Sequence, residues 1–214
     1  MIHLGIIPDG NRRFLKKISN KNLITIWEDN FKRLINEFIK EKDNKYENLK
    51  KINEISIYVC SIDNLKRDDN TRENVFTVLK SILILIKNEL FIKDLVNINF
   101  IGDIHLLPKD LQKLMKESKQ KLKGDRLKIN LAIAYDYNKD IQNFKIINSN
   151  YRRNQSNIDL VFRSGGEKRL SGFFPTKTIY SELFFNDKLW PEITLKDLDL
   201  VLDEFSQRNR RFGK

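Results

Sequence analysis

The sequence has one cysteine, Cys60, in 214 residues. No internal disulfide can form, and a lone thiol fits a reducing compartment, so a cytoplasmic protein is expected. A long uninterrupted apolar run is also missing. The most apolar region, Val75 to Leu95, is broken by Lys80, Lys87, Asn88, Glu89 and Lys93. A membrane-spanning helix needs about 20 consecutive, largely apolar residues, so none is expected there. The run His3 to Ile7 is too short for a signal peptide and stops at Pro8-Asp9. There is no internal repeat, no set of clustered aromatics of the RNA-binding kind and no basic recognition helix, so a nucleic-acid partner is not expected.

What the chain does have is a core-forming apolar fraction of 40% and a net charge of +11, from 40 Lys and Arg against 29 Asp and Glu. Its length suits one domain spanning 1–214. The charge fits an anionic partner such as a diphosphate, a nucleic acid or an acidic membrane surface. It equally fits an AT-rich coding bias, because Lys, Asn and Ile are all abundant and the lysines are scattered. The arginines are more informative. They gather at Arg12-Arg13, Arg67, Arg163, Arg169 and Arg208 to Arg211.

Apolar periodicity predicts alternating strands and helices. Strands are expected at Ile2 to Ile7, Glu54 to Cys60, Val96 to Ile101, Leu127 to Ala134 and Ile158 to Phe162, with Thr178 to Phe184 following. Helices are expected at Ile24 to Lys40, Val75 to Phe91 and Pro108 to Leu122. Another should run from an N-cap at Thr194, with Asp197 three residues on, to Phe205. Ser61 to Glu73 reads as an exposed, mobile loop, and Asn138 to Asn157 as a loop or poorly formed helix. The alternation implies an α/β fold, a central and mostly parallel sheet flanked by helices. Ligands then sit at the carboxyl ends of strands, where the Asp9, Ser61 and Arg163 regions fall.

Two stretches read as anion sites. Arg163, Arg169 and Ser171 surround a Gly165-Gly166 turn after a short apolar strand. Two guanidiniums, a hydroxyl and exposed backbone amides suit a multiply charged phosphate. The second stretch is Asp9-Gly10-Asn11-Arg12-Arg13-Phe14, at an expected helix start. Asp9 by itself could be a helix cap. Inside an anion site its carboxylate would repel the ligand unless a cation bridges them, which points to Mg²⁺. Glu182 is a candidate second acid, or simply an exposed residue of an amphipathic element.

These motifs resemble the cis-prenyltransferases, the undecaprenyl diphosphate synthase family. The resemblance runs from His3 to Gly213. It is strongest at Ile6 to Phe14, Asp159 to Ser171 and Ile179 to Pro191, with weaker echoes at Ile57 to Arg67, Ile101-Gly102-Asp103 and Arg208 to Gly213. It implies an apolar tunnel in the sheet-and-helix fold. It also implies a reaction in which an allylic diphosphate loses pyrophosphate to the attacking double bond of isopentenyl diphosphate. By the resemblance, Asp9 holds Mg²⁺ with help from Glu182. Gly10, Asn11, Arg12, Arg13, Phe14 and Arg67 bind the allylic diphosphate. Arg163, Arg169 and Ser171 bind isopentenyl diphosphate, and Ser61 and Asn64 lie with Asn11 near the reacting centre. Arg211 and Gly213 belong to a tail that completes the partner's site in a homodimer. Peripheral association with a membrane surface is open on the same grounds.

The chain departs from long-chain members in several places. No Arg or His stands in Asn22 to Trp27. Phe14 and Leu65 replace usual tryptophans, Val59 replaces a small tunnel residue, and the stretch from Tyr135 to Asp159 is short. A short cis product is therefore expected, with Val59, Phe76, Leu79, Leu83, Ile86 and Phe91 as tunnel walls. Pro8 and Phe174-Pro175 also resemble the lavandulyl-type synthases, which couple two dimethylallyl units irregularly, whereas Arg163 to Glu167 resembles the regular enzymes. A catalytically silent subunit is the remaining alternative, and it has no need of Asp9, Arg163 and Arg169.

Overall fold

A computed structural model describes residues 1–17, 23–39, 46–66, 71–88, 94–146 and 156–209. The chain forms a single α/β domain. Among the described residues its strands are β1 (Ile2–Ile7), β2 (Ile52–Tyr58), β3 (Val96–Ile101), β4 (Leu127–Ala132), β5 (Leu160–Arg163) and β6 (Glu182–Phe185). They make one sheet in the order β3-β4-β2-β1-β5-β6, and every pairing is parallel. The helices are α1 (Asn11–Lys17), α2 (Leu23–Ile39), α3 (Ile62–Leu65), α4 (Thr71–Asn88), α5 (Lys109–Lys121), α6 (Tyr137–Ile146) and α7 (Leu195–Gln207).

Alternation along the strands separates two faces. Leu4 and Ile6, Ile55 and Ile57, Ile129 and Leu131, and Leu160 and Phe162 share a large apolar core with α4, α5 and α7. α4 contributes Val78, Leu79, Ile82 and Leu83, the i, i+1, i+4, i+5 face of an amphipathic helix. α7 buries Leu195, Leu198, Leu202 and Phe205. Its start is fixed by the expected box: Thr194 Oγ1 accepts from the Asp197 amide at 3.3 Å, and Asp197 Oδ2 accepts from the Thr194 amide at 2.8 Å. The other face carries a smaller cluster, Ile7, Ala132, Tyr135, Val161, Phe173 and Phe174.

Several expectations need adjustment. The segment after Ser61 is no open loop where it is described. Ser61 and Asn64 cap α3 reciprocally, and residues 71–73 already belong to α4. The polar stretch after Tyr135 forms α6 as far as Ile146. Strand β6 begins only at Glu182, because the Thr178 and Ser181 amides are spent on turn bonds to the Phe174 and Thr178 carbonyls.

The sheet places the site. From β1 the chain turns one way to β2 and later returns on the other side as β5. The loops leaving β1 and β5 therefore diverge and open a crevice at the carboxyl ends of the strands, a topological switch point.

Candidate active site

Asp9 and Arg163 meet at that crevice although 154 residues separate them. The register brings them there, since Ile7 pairs with Arg163 at the end of the β1–β5 ladder. Arg163 Nη2 donates to Asp9 Oδ2 at 2.8 Å, and the Gly10 amide donates to Asp9 Oδ1 at 2.6 Å. Arg13 lies at 3.5 Å from Asp9 Oδ1 and donates to the Gly165 carbonyl at 2.7 Å. Burial alone would raise the Asp9 pKa. The Arg163 hydrogen bond, the Gly10 amide and the charges of Arg163 and Arg13 outweigh it, so the carboxyl titrates below its ordinary value. Arg163 is only 4% exposed. Its Nη1 donates to Ser171 Oγ at 2.9 Å and also to the Arg169 carbonyl, while its Nε is buried without a partner. Asn11 donates to the Pro8 carbonyl at 2.8 Å and leaves its Oδ1 buried and unpartnered. Orphaned buried polar atoms are rare, and at a cavity they mark places where a ligand completes the bonding.

That cavity has a volume of about 690 Å³. Its polar mouth is lined by Asp9, Gly10, Asn11, Arg12, Arg13, Arg163, Arg169 and Ser171, with Ser61 and Asn64 alongside. Its inner wall is apolar: Trp27 and Phe31 of α2, Val75, Val78, Leu79 and Ile82 of α4, and Ile57, Leu131 and Val59 from the sheet. A charged, cation-rich mouth over an oily interior suits a molecule with an anionic head and a hydrocarbon tail.

Most of the expected residues are thus gathered, but not all in the expected way. The Gly165 and Gly166 amides are not open to a ligand, since they donate to the Lys188 and Asn186 carbonyls at 2.7 and 2.9 Å. The glycines serve shape. Gly165 has φ +89°, and a Cβ there would lie 2.8 Å from the Arg13 guanidinium and 3.1 Å from Asp9. Phe14 does not line the cavity; its amide closes α1 onto the Gly10 carbonyl at 2.9 Å. Glu182 is a correction. It opens β6 in register with Leu160, at the amino end of the sheet, and is held by Arg208 at 2.7 Å. Within one chain it therefore stands apart from Asp9. Of the expected tunnel walls, Val59 and Leu79 line the cavity. Leu83 is fully buried and Phe76 partly buried in the core. The Ile86 side chain, Phe91, Arg67, Arg211 and Gly213 lie outside the described residues.

Sequence reasoning missed three contributors. Ser164 ties the two loops by accepting from the Asp9 amide at 3.0 Å and donating to the Asp9 carbonyl at 2.9 Å. Trp190, whose amide donates to the Asp9 carbonyl at 2.9 Å, meets Trp27 in a tilted ring contact with centroids 6.5 Å apart. Tyr58 lines the mouth with its hydroxyl on the Ser171 carbonyl at 3.2 Å. Ser164 and Trp190 lie inside the strongest motifs and were within reach. Tyr58 lies in the weaker echo Ile57 to Arg67, where nothing singles it out.

Among the described residues, Asp9 is the carboxylate that pairs with Arg13 and Arg163, while Glu167 pairs with Arg169 and Asp63, also on the cavity wall, pairs with Lys66. No group of three or more His, Cys, Asp or Glu able to hold a metal occurs among the described residues. An all-protein metal cage is not what these residues offer. They fit an ion such as Mg²⁺, which takes one or two carboxylates and completes its shell with phosphate oxygens and water.

Comparison with known proteins agrees with this chemistry. The profile of the family described as "Putative undecaprenyl diphosphate synthase" matches residues 7–213. The chain is 29% identical to the tritrans,polycis-undecaprenyl-diphosphate synthase (geranylgeranyl-diphosphate specific) of Pyrobaculum aerophilum, over 99% of this chain and 95% of that protein. Its fold superposes on that of a probable undecaprenyl diphosphate synthase from Campylobacter jejuni with a TM-score of 0.79, at 24% identity over 99% of this chain and 98% of the other. Lavandulyl diphosphate synthase from Lavandula x intermedia, in complex with dimethylallyl diphosphate, follows at a TM-score of 0.78, with 23% identity over 99% and 98%. Two folds so equally similar do not discriminate regular from irregular coupling. With ordered motifs matched over nearly its whole length, the chain belongs to the undecaprenyl diphosphate synthase family, the cis-prenyltransferases.

Proposed function

We propose that this cis-prenyltransferase condenses an allylic diphosphate with isopentenyl diphosphate to a short cis-prenyl diphosphate of roughly two to four isoprene units, a size suited to a pocket of several hundred cubic ångströms. The supporting observation is the Asp9–Arg163 cluster at the mouth of an apolar cavity of about 690 Å³. In the reaction the allylic C–O bond breaks, a carbon–carbon bond forms to the isopentenyl double bond, and pyrophosphate and one proton leave. The leaving diphosphate gains charge as the C–O bond breaks. Arg12 and Arg13 on the α1 side take that head group, with the Asn11 side chain beside it. Arg163, Arg169 and Ser171 take the acceptor's diphosphate. Asp9, between the two sets, would hold Mg²⁺. When bound, that ion supplies charge that stabilises the departing oxygens. The hydrocarbon tail lies between α2 and α4, shielded from water by Trp27, Phe31 and Leu79.

The short product is inferred from the bulk of the wall. Val59 stands in the apolar wall of the cavity, and Trp27, paired with Trp190, closes it on the α2 side. The test is mass spectrometry of products formed from isopentenyl diphosphate with dimethylallyl, geranyl or farnesyl diphosphate and Mg²⁺. Products of two to four units are expected, and Val59→Ala should add at least one. Wild-type products of ten or more units would refute the short tunnel. A branched product from dimethylallyl diphosphate alone would establish irregular coupling instead.

A further inference from the structure

Tyr58 ends β2 at the carboxyl edge of the sheet, between the two sides of the mouth. Its ring is fixed by an edge-on contact with Tyr135 (centroids 6.1 Å) and a tilted one with Phe173 (5.4 Å). Its hydroxyl donates to the Ser171 carbonyl at 3.2 Å and also meets the Ser61 side chain. Burial is the main cause that pushes the phenol up to about 12, so the hydroxyl keeps its proton across the physiological range.

Ser171 is unusual in its backbone. Its φ is +52°, in the left-handed region that non-glycine residues seldom occupy. Such a conformation persists only where its surroundings hold it. From it, Ser171 Oγ accepts from Arg163 Nη1 at 2.9 Å, and Arg163 Nη2 reaches Asp9 at 2.8 Å. A series of bonds thus runs from Tyr58 through Ser171 and Arg163 to Asp9.

We propose that Tyr58 is a positioning residue for the acceptor diphosphate, its hydroxyl holding Ser171 in the left-handed conformation that aligns Ser171 Oγ and Arg163. The inference rests on the proposed assignment of Arg163, Arg169 and Ser171 to isopentenyl diphosphate. Tyr58 acts through Ser171 and the aligned arginine. Removing its hydroxyl should therefore weaken acceptor binding while sparing the allylic site and the chemical step.

Tyr58→Phe keeps the ring and its packing, so the fold is retained. Its KM for isopentenyl diphosphate should rise about three- to tenfold, the size of one neutral hydrogen bond. The KM for the allylic diphosphate and the saturated turnover should stay within about twofold, the pattern of lost ground-state positioning. Ser171→Ala should raise the acceptor KM as well. The double variant should be no worse than Ser171→Ala alone, because both changes act through one residue. Calorimetric titration with isopentenyl diphosphate alone should repeat the ranking without turnover. An unchanged acceptor KM, an equal rise for both substrates, or additive losses in the double variant would overturn the positioning role. If the wild-type protein itself fails to bind isopentenyl diphosphate in the titration, the acceptor assignment falls and this inference with it. Wild-type binding matched by equal binding in Tyr58→Phe removes the positioning role alone.

Discussion

Two polar clusters sit on the same sheet, each with a carboxylate and a serine, and they differ in almost every other physical respect. At the carboxyl edge are Asp9, Arg13, Arg163 and Ser171. Within β1, β2 and β4, away from that edge, are His3, Glu54, Ser56 and Asn130, all buried. The second cluster even has the ingredients of a nucleophile with a base and an acid, since His3 Nε2 lies 2.8 Å from Ser56 Oγ. The geometry rejects that role. Ser56 is 0% exposed and does not line the cavity. Glu54 approaches the same ring nitrogen as the serine, at 3.8 Å, so it cannot orient the imidazole from the far side. Its oxygens are taken by Asn130 at 2.7 Å, Lys128 at 2.9 Å and Ser156 at 2.5 Å. The edge cluster, by contrast, keeps orphaned atoms on Asn11 and Arg163, a left-handed serine and a cavity. Residue type does not separate a working site from a structural one. Unfinished bonding beside open space does.

The sharpest way to break this comparison is to change one acid in each cluster. Asp9→Asn keeps an acceptor for the Gly10 amide and removes the charge. Turnover should fall on the order of 10²-fold or more, the loss seen when a main charge-stabilising group is removed. Steady-state kinetics at saturating Mg²⁺ checks it, and turnover within threefold of wild type would remove Asp9 from the mechanism. Glu54→Ala should do the reverse. It strands the donors of Asn130, Ser156 and Lys128, of which only Asn130 is buried, and costs about 1–3 kcal/mol of stability. Denaturant titration reads that loss, while activity per folded molecule should stay within about threefold. A Glu54 variant of full stability and lost activity would erase the distinction between the clusters.

Much of this was legible before the structure. β1 and β3 fall on the expected residues, and the Thr194 box starts α7 as its spacing implies. The meeting of Asp9 with Arg163 follows from placing both at strand ends of a parallel sheet. What failed were quantities set by three-dimensional phase. Glu182 is a metal partner by the resemblance, as an acid between apolar neighbours, but β6 starts at that residue and leaves it at the amino end of the strand, away from Asp9 of the same chain. Periodicity found the apolar face of α4 without its azimuth, so Leu83 lies wholly in the core, whereas Val78 and Ile82, core residues too, also reach the cavity. The Gly165 and Gly166 amides could not be known to be spent, because their carbonyl partners lie 20 or more residues downstream. Tyr58 matters through a backbone conformation of Ser171 that no local signal announces.

The smallest expected effect, and the finest test of the closed cluster, is its response to pH. Burial is the main cause that lowers the His3 pKa below its ordinary 6.5. Lys177 adds to the lowering, and it outlasts the opposing pull of Glu54, the Asn157 carbonyl and Asp159. The folded state therefore holds His3 neutral where the unfolded chain already takes up a proton. The unfolded state binds more protons in that window, so stability declines as pH falls below about 6.5 and levels off once the folded pKa is passed. Glu54 works in a separate window. Burial opposes its ionisation, yet His3, Ser156, Lys128 and Asn130 together bring its pKa below the ordinary 4.5. Its contribution is complete above that value and is lost as pH falls through the lowered one. Melting temperatures measured between pH 7.5 and 5.5 should thus decline in the wild type and decline less in His3→Gln, which keeps a polar side chain but cannot titrate. Below pH 4.5 both proteins should lose stability together. Equal slopes in the upper window would mean that His3 is solvated like a surface histidine, and the cluster would then not be the sealed, satisfied network that sets it apart from the active-site edge.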